Sequence, residues 1–98
     1  MIPTAVFNPE AEAEYNEAVA FYRAANAAVA GEFIDAIERC IDSIVHSPLA
    51  GAIVIDAVRR RLVRKFPYSI MYWVGREEIL ILAVAHAKRR PMYWLGRE

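Results

Sequence analysis

The chain predicts an α+β fold made of one strand, an antiparallel helix hairpin and a three-stranded antiparallel meander. Three observations predict it. Apolar residues recur with the helical period up to about residue 46, and later segments are β-branched or aromatic over strand-length runs. Asparagine, proline and glycine also stand where such elements must begin or end.

Thr4 to Phe7 reads as a short, edge-like strand. Asn8-Pro9-Glu10 then supplies a cap, a proline at the first helical position and acid in the first turn, so a helix runs to about Ala25. Its apolar face is Ala11, Tyr15, Ala18, Val19 and Tyr22, with Glu10, Glu14 and Glu17 on the wet side. Asn26 caps a second helix that ends near His46, before Ser47-Pro48. That helix turns Phe33, Ile34, Ile37, Ile41, Ile44 and Val45 inward and Asp35, Glu38, Arg39 and Asp42 outward. Two helices joined so closely form an antiparallel hairpin. Ser47 to Asp56 reads as a loop. Arg60 to Phe66, Tyr68 to Val74 and Glu78 to His86 are the meander strands, separated by Pro67 and by Gly75-Arg76-Glu77. No repeat, low-complexity tract or linker interrupts the 98 residues, which form a single domain, 1–98. A domain of that size buries roughly two-thirds of its unfolded surface without disulfides or metals.

A formal net charge of zero hides a strong dipole. Residues 1–56 hold two basic residues against nine acidic ones, net −7, and residues 57–98 hold ten against three, net +7. A basic, aromatic-rich half faces something anionic, while the acidic half is solvated helix surface. No apolar run approaches the roughly 20 residues of a membrane helix, and Met1-Ile2-Pro3 lacks the basic and apolar start of a signal peptide, so a cytoplasmic protein with no membrane partner is expected. Cys40, the one cysteine, falls in the apolar stripe of the second helix and reads as a buried small hydrophobe. His46 and His86, without paired cysteines, match no metal-ligand spacing, and nothing calls for a cofactor.

Ile79 to Ala85 is apolar at every position, yet a two-helix hairpin covers only one face of a sheet. The other face is therefore expected to show some of Ile70, Met71, Tyr72, Trp73, Leu80, Leu82 and Val84 beside the arginines of Arg59-Arg60-Arg61, as a partner site. The opposing possibility is that residues 47–58 and the tail fold over it. A tail bearing Lys88, Arg89, Arg90 and Arg97 is a poor cover for apolar surface. Trp73 is expected to be packed, and Trp94 to have little around to bury it.

Several motifs, taken in order over nearly the whole chain, resemble the RelE/ParE superfamily of bacterial type II toxins, also called plasmid stabilization proteins. They are Phe7-x-x-x-Ala11 with Glu14, Ala30-Gly31-Glu32-Phe33, Ser47-Pro48-x-x-Gly51, Arg60, Phe66-Pro67-Tyr68-Ser69-Ile70-Met71-Tyr72, and Ile79 to His86 followed by Arg89-Arg90-Pro91-x-Tyr93-Trp94. The resemblance implies a β-α-α-β-β-β toxin that restrains growth and is held in a hetero-oligomer with a cognate antitoxin. Its target is either DNA gyrase or messenger RNA in the ribosome.

Ribonuclease members of such a superfamily need an acid, a base and cations for the pentavalent phosphate. The candidates are His86 and Tyr93 for proton transfer, with Arg64, Lys65, Arg89 and Arg90 as phosphate clamps. Against that reading, Ser69 and Ala87 stand where the resemblance leads one to expect arginines, each such donor being worth about 3 kcal/mol. A gyrase inhibitor needs only to bind, and Phe66 to Ile70 with the Arg89 to Trp94 segment are closer to that branch. Its target-binding set is Arg60, Arg61, Arg64, Lys65, Arg89, Arg90 and Trp94, and the antitoxin set is Ile70, Tyr72, Leu80 and Leu82. A third class, a non-toxic binding module, would stack bases on Tyr68, Tyr72 and Trp73, but carries no known signature for it. His86 is equally readable as a hydrogen-bonded structural residue at a strand end.

Overall fold

A computed structural model describes residues 2–97. Strand β1 (Thr4–Phe7) leads into helices α1 (Pro9–Ala25) and α2 (Ala27–His46), and four strands follow: β2 (Ala52–Ile55), β3 (Val58–Leu62), β4 (Tyr68–Val74) and β5 (Glu78–His86). The sheet order is β1-β5-β4-β3-β2. β1 lies parallel to β5, and the other pairs are antiparallel.

Local chemistry explains both helices. Asn8 Oδ1 accepts from the backbone of Glu10 at 2.8 Å and of Ala11 at 3.3 Å, and Pro9 sets the first helical φ. Asn26 alone joins the helices: its N–H donates to Tyr22 O at the end of α1, and its side chain accepts from Ala28 and Val29 at the start of α2. The buried stripe Phe33, Ile37, Cys40 and Ile44 then lays α2 on the sheet, against Ile70, Tyr72, Ile79, Ile81 and Val84. Phe66, Tyr68 and Tyr22 pack their rings around Phe33 at centroid distances of 5.0–5.2 Å.

The structure departs from the sequence reading in four places. The segment read as a loop contains β2, whose Ile53-Val54-Ile55 is β-branched and closes on β3 through a turn with Asp56 at φ 49°. β3 also begins and ends earlier than expected, at Val58 and Leu62, because Val63 to Pro67 form a tight turn with Lys65 at φ 70°. Gly51 of Ser47-Pro48-x-x-Gly51 has a steric role. A Cβ there would overlap the Tyr72 hydroxyl, which donates to Pro48 O at 2.7 Å, and would sit 2.9 Å from Arg60 O.

The third departure decides the far face of the sheet. In β5, Met71 faces Ala83 and Tyr72 faces Ile81, leaving Leu82 as the extra residue of a β-bulge. The bulge switches the parity of the strand: Ile79, Ile81 and Val84 face the helices, whereas Leu82, Ala83 and Ala85 face away. That second face is closed by residues 87–97, here termed the strap. Trp94 is only 2% exposed against Val58, Met71, Leu82, Ala83 and Ala85. The expectation of an open face is thus corrected. Of the residues expected to meet an antitoxin there, Ile70 and Tyr72 lie under the helices, Leu82 lies under Trp94, and Leu80 keeps partial exposure. The expected exposure of Trp94 is corrected with it, and the reason is that one strap can bury its ring while Lys88, Arg89 and Arg90 point outward. Trp73, expected to be packed, is 37% exposed; it lies near the end of β4 opposite the one from which the strap leaves.

The fourth departure is Glu14, expected on the wet side. Its carboxylate accepts from the Val84 backbone N–H at 3.0 Å and is gripped by Arg97, with Nη1 and Nη2 at 3.0 and 3.2 Å. Arg97 Nη1 also donates to Leu82 O at 3.1 Å. β1 pairs with β5 only as far as Ile81. Glu14 and Arg97 therefore satisfy the β5 edge where the neighbouring strand has ended.

Candidate functional site

The turn between β3 and β4 and the strap leave the same end of the sheet, because Tyr68 pairs with His86 and the Ala87 N–H donates to Pro67 O at 2.8 Å. Arg64 and Lys65 from the turn thereby join Lys88, Arg89 and Arg90 from the strap, all five exposed. Lys65 holds a left-handed backbone there that costs a non-glycine residue about 1 kcal/mol, a form of local strain that clusters at functional positions. His86 borders the patch. Its Nδ1 accepts from the Lys88 backbone N–H at 3.0 Å, which leaves the proton of the neutral ring on Nε2, and its ring meets Tyr68 edge-on at 5.0 Å.

Arg59-Arg60-Arg61 divides by strand alternation. Arg59 donates to Leu49 O at 3.0 Å and Gly51 O at 2.8 Å, tying the α2–β2 connection down. Arg60 is exposed on the Trp94 side, opposite Met71. Arg61 turns to the helix side and donates to Ser43 Oγ. Arg60 and Arg61 thus serve opposite faces, and only Arg61 faces the helix-side groove beside Arg64 and Lys65.

Tyr93 belongs to the strap's anchorage. The Arg89 guanidinium stacks on its ring at 3.8 Å and that of Arg97 lies 5.1 Å from the ring centre. Its hydroxyl is sealed from solvent beside Glu14 without a well-formed hydrogen bond. Burial, and then the Glu14 carboxylate, push its pKa far above the ordinary tyrosine value. The phenol is held protonated and sealed, an arrangement suited to packing and ill suited to proton transfer.

Cys40 lies at the base of a groove of about 570 Å³ between α2 and the end of β3. Its thiol donates weakly to Leu62 O at 3.7 Å, and burial pushes its pKa up to about 11. Because folding raises this pKa above the free value of 9.0, the folded state keeps a proton that the unfolded state gives up. The associated stability is complete below pH 9 and lost as pH rises to about 11. Urea denaturation across that window should show a steeper decline for wild type than for Cys40→Ala. Equal slopes would mean that the thiol is solvated.

Sequence reasoning found the cations by type but missed Glu14 and Arg97. A signal existed for Glu14, which lies three residues after Ala11 and four before Ala18, on the margin of the buried stripe. Arg97 had none, since its role depends on the strap's path. Among the described residues, no helix is long and apolar enough to cross a membrane.

Comparison with known proteins follows the same fold. The chromosomal ParDE TA system from P. aeruginosa contains a chain that superposes with a TM-score of 0.76 at 18% identity, covering 89% of this chain and 98% of that one. At that identity the likeness speaks for the fold. A search of curated proteins gives no significant match. The family described as "ParE toxin of type II toxin-antitoxin system, parDE" matches residues 5–91, which takes in both helices, every strand and the basic end. The chain belongs to the ParE toxin family of type II toxin–antitoxin systems.

Proposed function

We propose that this ParE-family chain inhibits DNA gyrase by binding it, and that a cognate antitoxin in the same cytoplasm neutralises it. The observation that carries this reading is the basic end itself. Arg64, Lys65, Lys88, Arg89 and Arg90 gather there with no acid–base pair beside them, Tyr93 being sealed and protonated. Ser69 and Ala87 moreover offer no guanidinium for a phosphate in transit. Such a surface suits recognition of an anionic or acidic partner better than cutting a phosphodiester bond. Arg60, on the other face, extends the basic character around the sheet, while Trp94 acts from within as the strap's anchor.

The test is gyrase supercoiling with purified protein, alone and with the antitoxin. Inhibition or trapped DNA cleavage is expected, reduced about tenfold in Lys88→Ala/Arg90→Ala, whose thermal stability should stay near wild type because exposed cations contribute little to folding. Arg89 is left in place because its guanidinium lies on the Tyr93 ring and 3.9 Å from Glu14. Normal supercoiling at excess protein refutes the reading. Transcript cleavage that disappears in His86→Ala would replace it with the ribonuclease alternative, and unimpaired growth on induction would favour a non-toxic binding module.

A further inference from the structure

The basic end is positive without admixture. Residues 57–76 and 79–97 contain no aspartate or glutamate, so the turn with Arg64 and Lys65 and the strap with Lys88, Arg89 and Arg90 bring no acid to it. Among the described residues one carboxylate, Glu14, comes within ion-pair distance of any of the five, 3.9 Å from Arg89, and Arg97 and the Val84 N–H already hold it. Glu32 and Asp35 stand on α2, on the helix wall of the groove that Arg64 and Lys65 also line. The aromatic rings nearby are occupied with the protein itself. Tyr93 lies under Arg89, and Phe66 and Tyr68 pack on Phe33. Trp73 is partly exposed but sits toward the opposite end of β4, across from Leu80.

From this geometry we infer that the basic end is a contact surface for the phosphate backbone of duplex DNA. The choice of DNA rests on the proposed function, since duplex DNA is what gyrase acts on, and the choice of phosphate rests on the patch. Protein interfaces centre on aromatic or aliphatic anchors and carry few charges at their core, whereas this patch presents cations with no exposed ring among them. Duplex DNA offers one negative charge per roughly 1.7 Å of its axis, a uniform partner for a uniform surface. Three of the five cations are arginines, whose planar forks fit phosphate oxygens. A single strand would gain little, because no free aromatic platform is there for its bases. The cations stand on a turn and a strap, and no helix or strand is offered to a groove, so binding is independent of base sequence. The acid-rich helices keep the duplex at this one end.

Anisotropy of a short labelled duplex, titrated with the purified full chain in the absence of gyrase, tests this. Affinity should fall about 150-fold between 50 and 200 mM salt, as for about four neutralised phosphates, and equally for unrelated sequences. In Lys88→Ala/Arg90→Ala the same salt step should weaken binding only about tenfold, because two phosphate contacts are gone. Arg76→Ala, in the turn between β4 and β5 at the opposite end, should bind as wild type does. No duplex binding at low salt by a chain that still inhibits supercoiling overturns the inference and leaves the proposed function standing. Duplex binding by a chain that leaves supercoiling untouched refutes the proposed function and leaves the DNA surface in place. Tighter binding to the single strand or to an RNA duplex overturns the assignment to duplex DNA. Displacement of the duplex by polyglutamate at equal charge overturns the assignment to phosphate.

Discussion

Trp94→Ala should destabilise the protein by about 4 kcal/mol, the middle of the range for truncating a large buried aromatic. Trp94 is 2% exposed and is the largest side chain of the buried cluster with Val58, Met71, Leu82, Ala83 and Ala85. Removing it leaves a cavity that the strap cannot refill, since Tyr93 is committed to Arg89 and Arg97. A domain of this size has roughly 5–15 kcal/mol in total, so the loss takes roughly a quarter to four-fifths of it. Urea titration gives the value. The internal control is Trp73→Ala, which loses a half-exposed ring and should cost well under half as much. A Trp94 variant within about 0.5 kcal/mol of wild type would show that the strap is not docked in solution.

Arg97→Ala should cost about 3 kcal/mol. Its guanidinium is 12% exposed and makes two hydrogen bonds to Glu14, itself 13% exposed, and one to Leu82 O. Deleting the cation strands a largely buried carboxylate and an unsatisfied carbonyl at the β5 bulge, and stranding one partner costs far more than the pair is worth. The effect should therefore be non-additive. In a cycle with Glu14→Gln, the double variant is expected to lose at least 1 kcal/mol less than the sum of the single losses. Arg97→Lys should recover only part, because an ammonium cannot bond the carboxylate and the Leu82 carbonyl in one plane. Strict additivity would mean that Glu14 and Arg97 stabilise the fold separately.

The helix hairpin was legible because its signals are local. Asn8-Pro9 and Asn26 cap within three residues of themselves, and the α2 stripe follows one period. Strands β4 and β5 were legible from composition. What escaped depended on distant pairing. Ala52 to Ile55 is too short to declare itself until β3 lies beside it, and the parity switch at Leu82 is a property of the β4–β5 register. The burial of Trp94 depends on left-handed backbone at Met92 and Gly96 that lets the strap turn back over the sheet. At the candidate site, residue types were readable. Their grouping was not, because a single backbone bond from Ala87 to Pro67 brings residues 64–65 beside 88–90.

The parallel pairing of β1 with β5 has a consequence for how the protein comes into being. Among the described residues, Thr4 to Phe7 find their only strand partner in residues 78–81, and the Asn8 side-chain amide donates to the Arg97 carbonyl at 2.9 Å. During synthesis the helix hairpin can form early, but it has no sheet to rest on and must wait with its apolar stripe exposed. The basic end is assembled only after the strap has emerged. A chain released anywhere before residue 88 lacks the strap's share of the basic end and the Trp94 ring over the sheet, so neither forms in it.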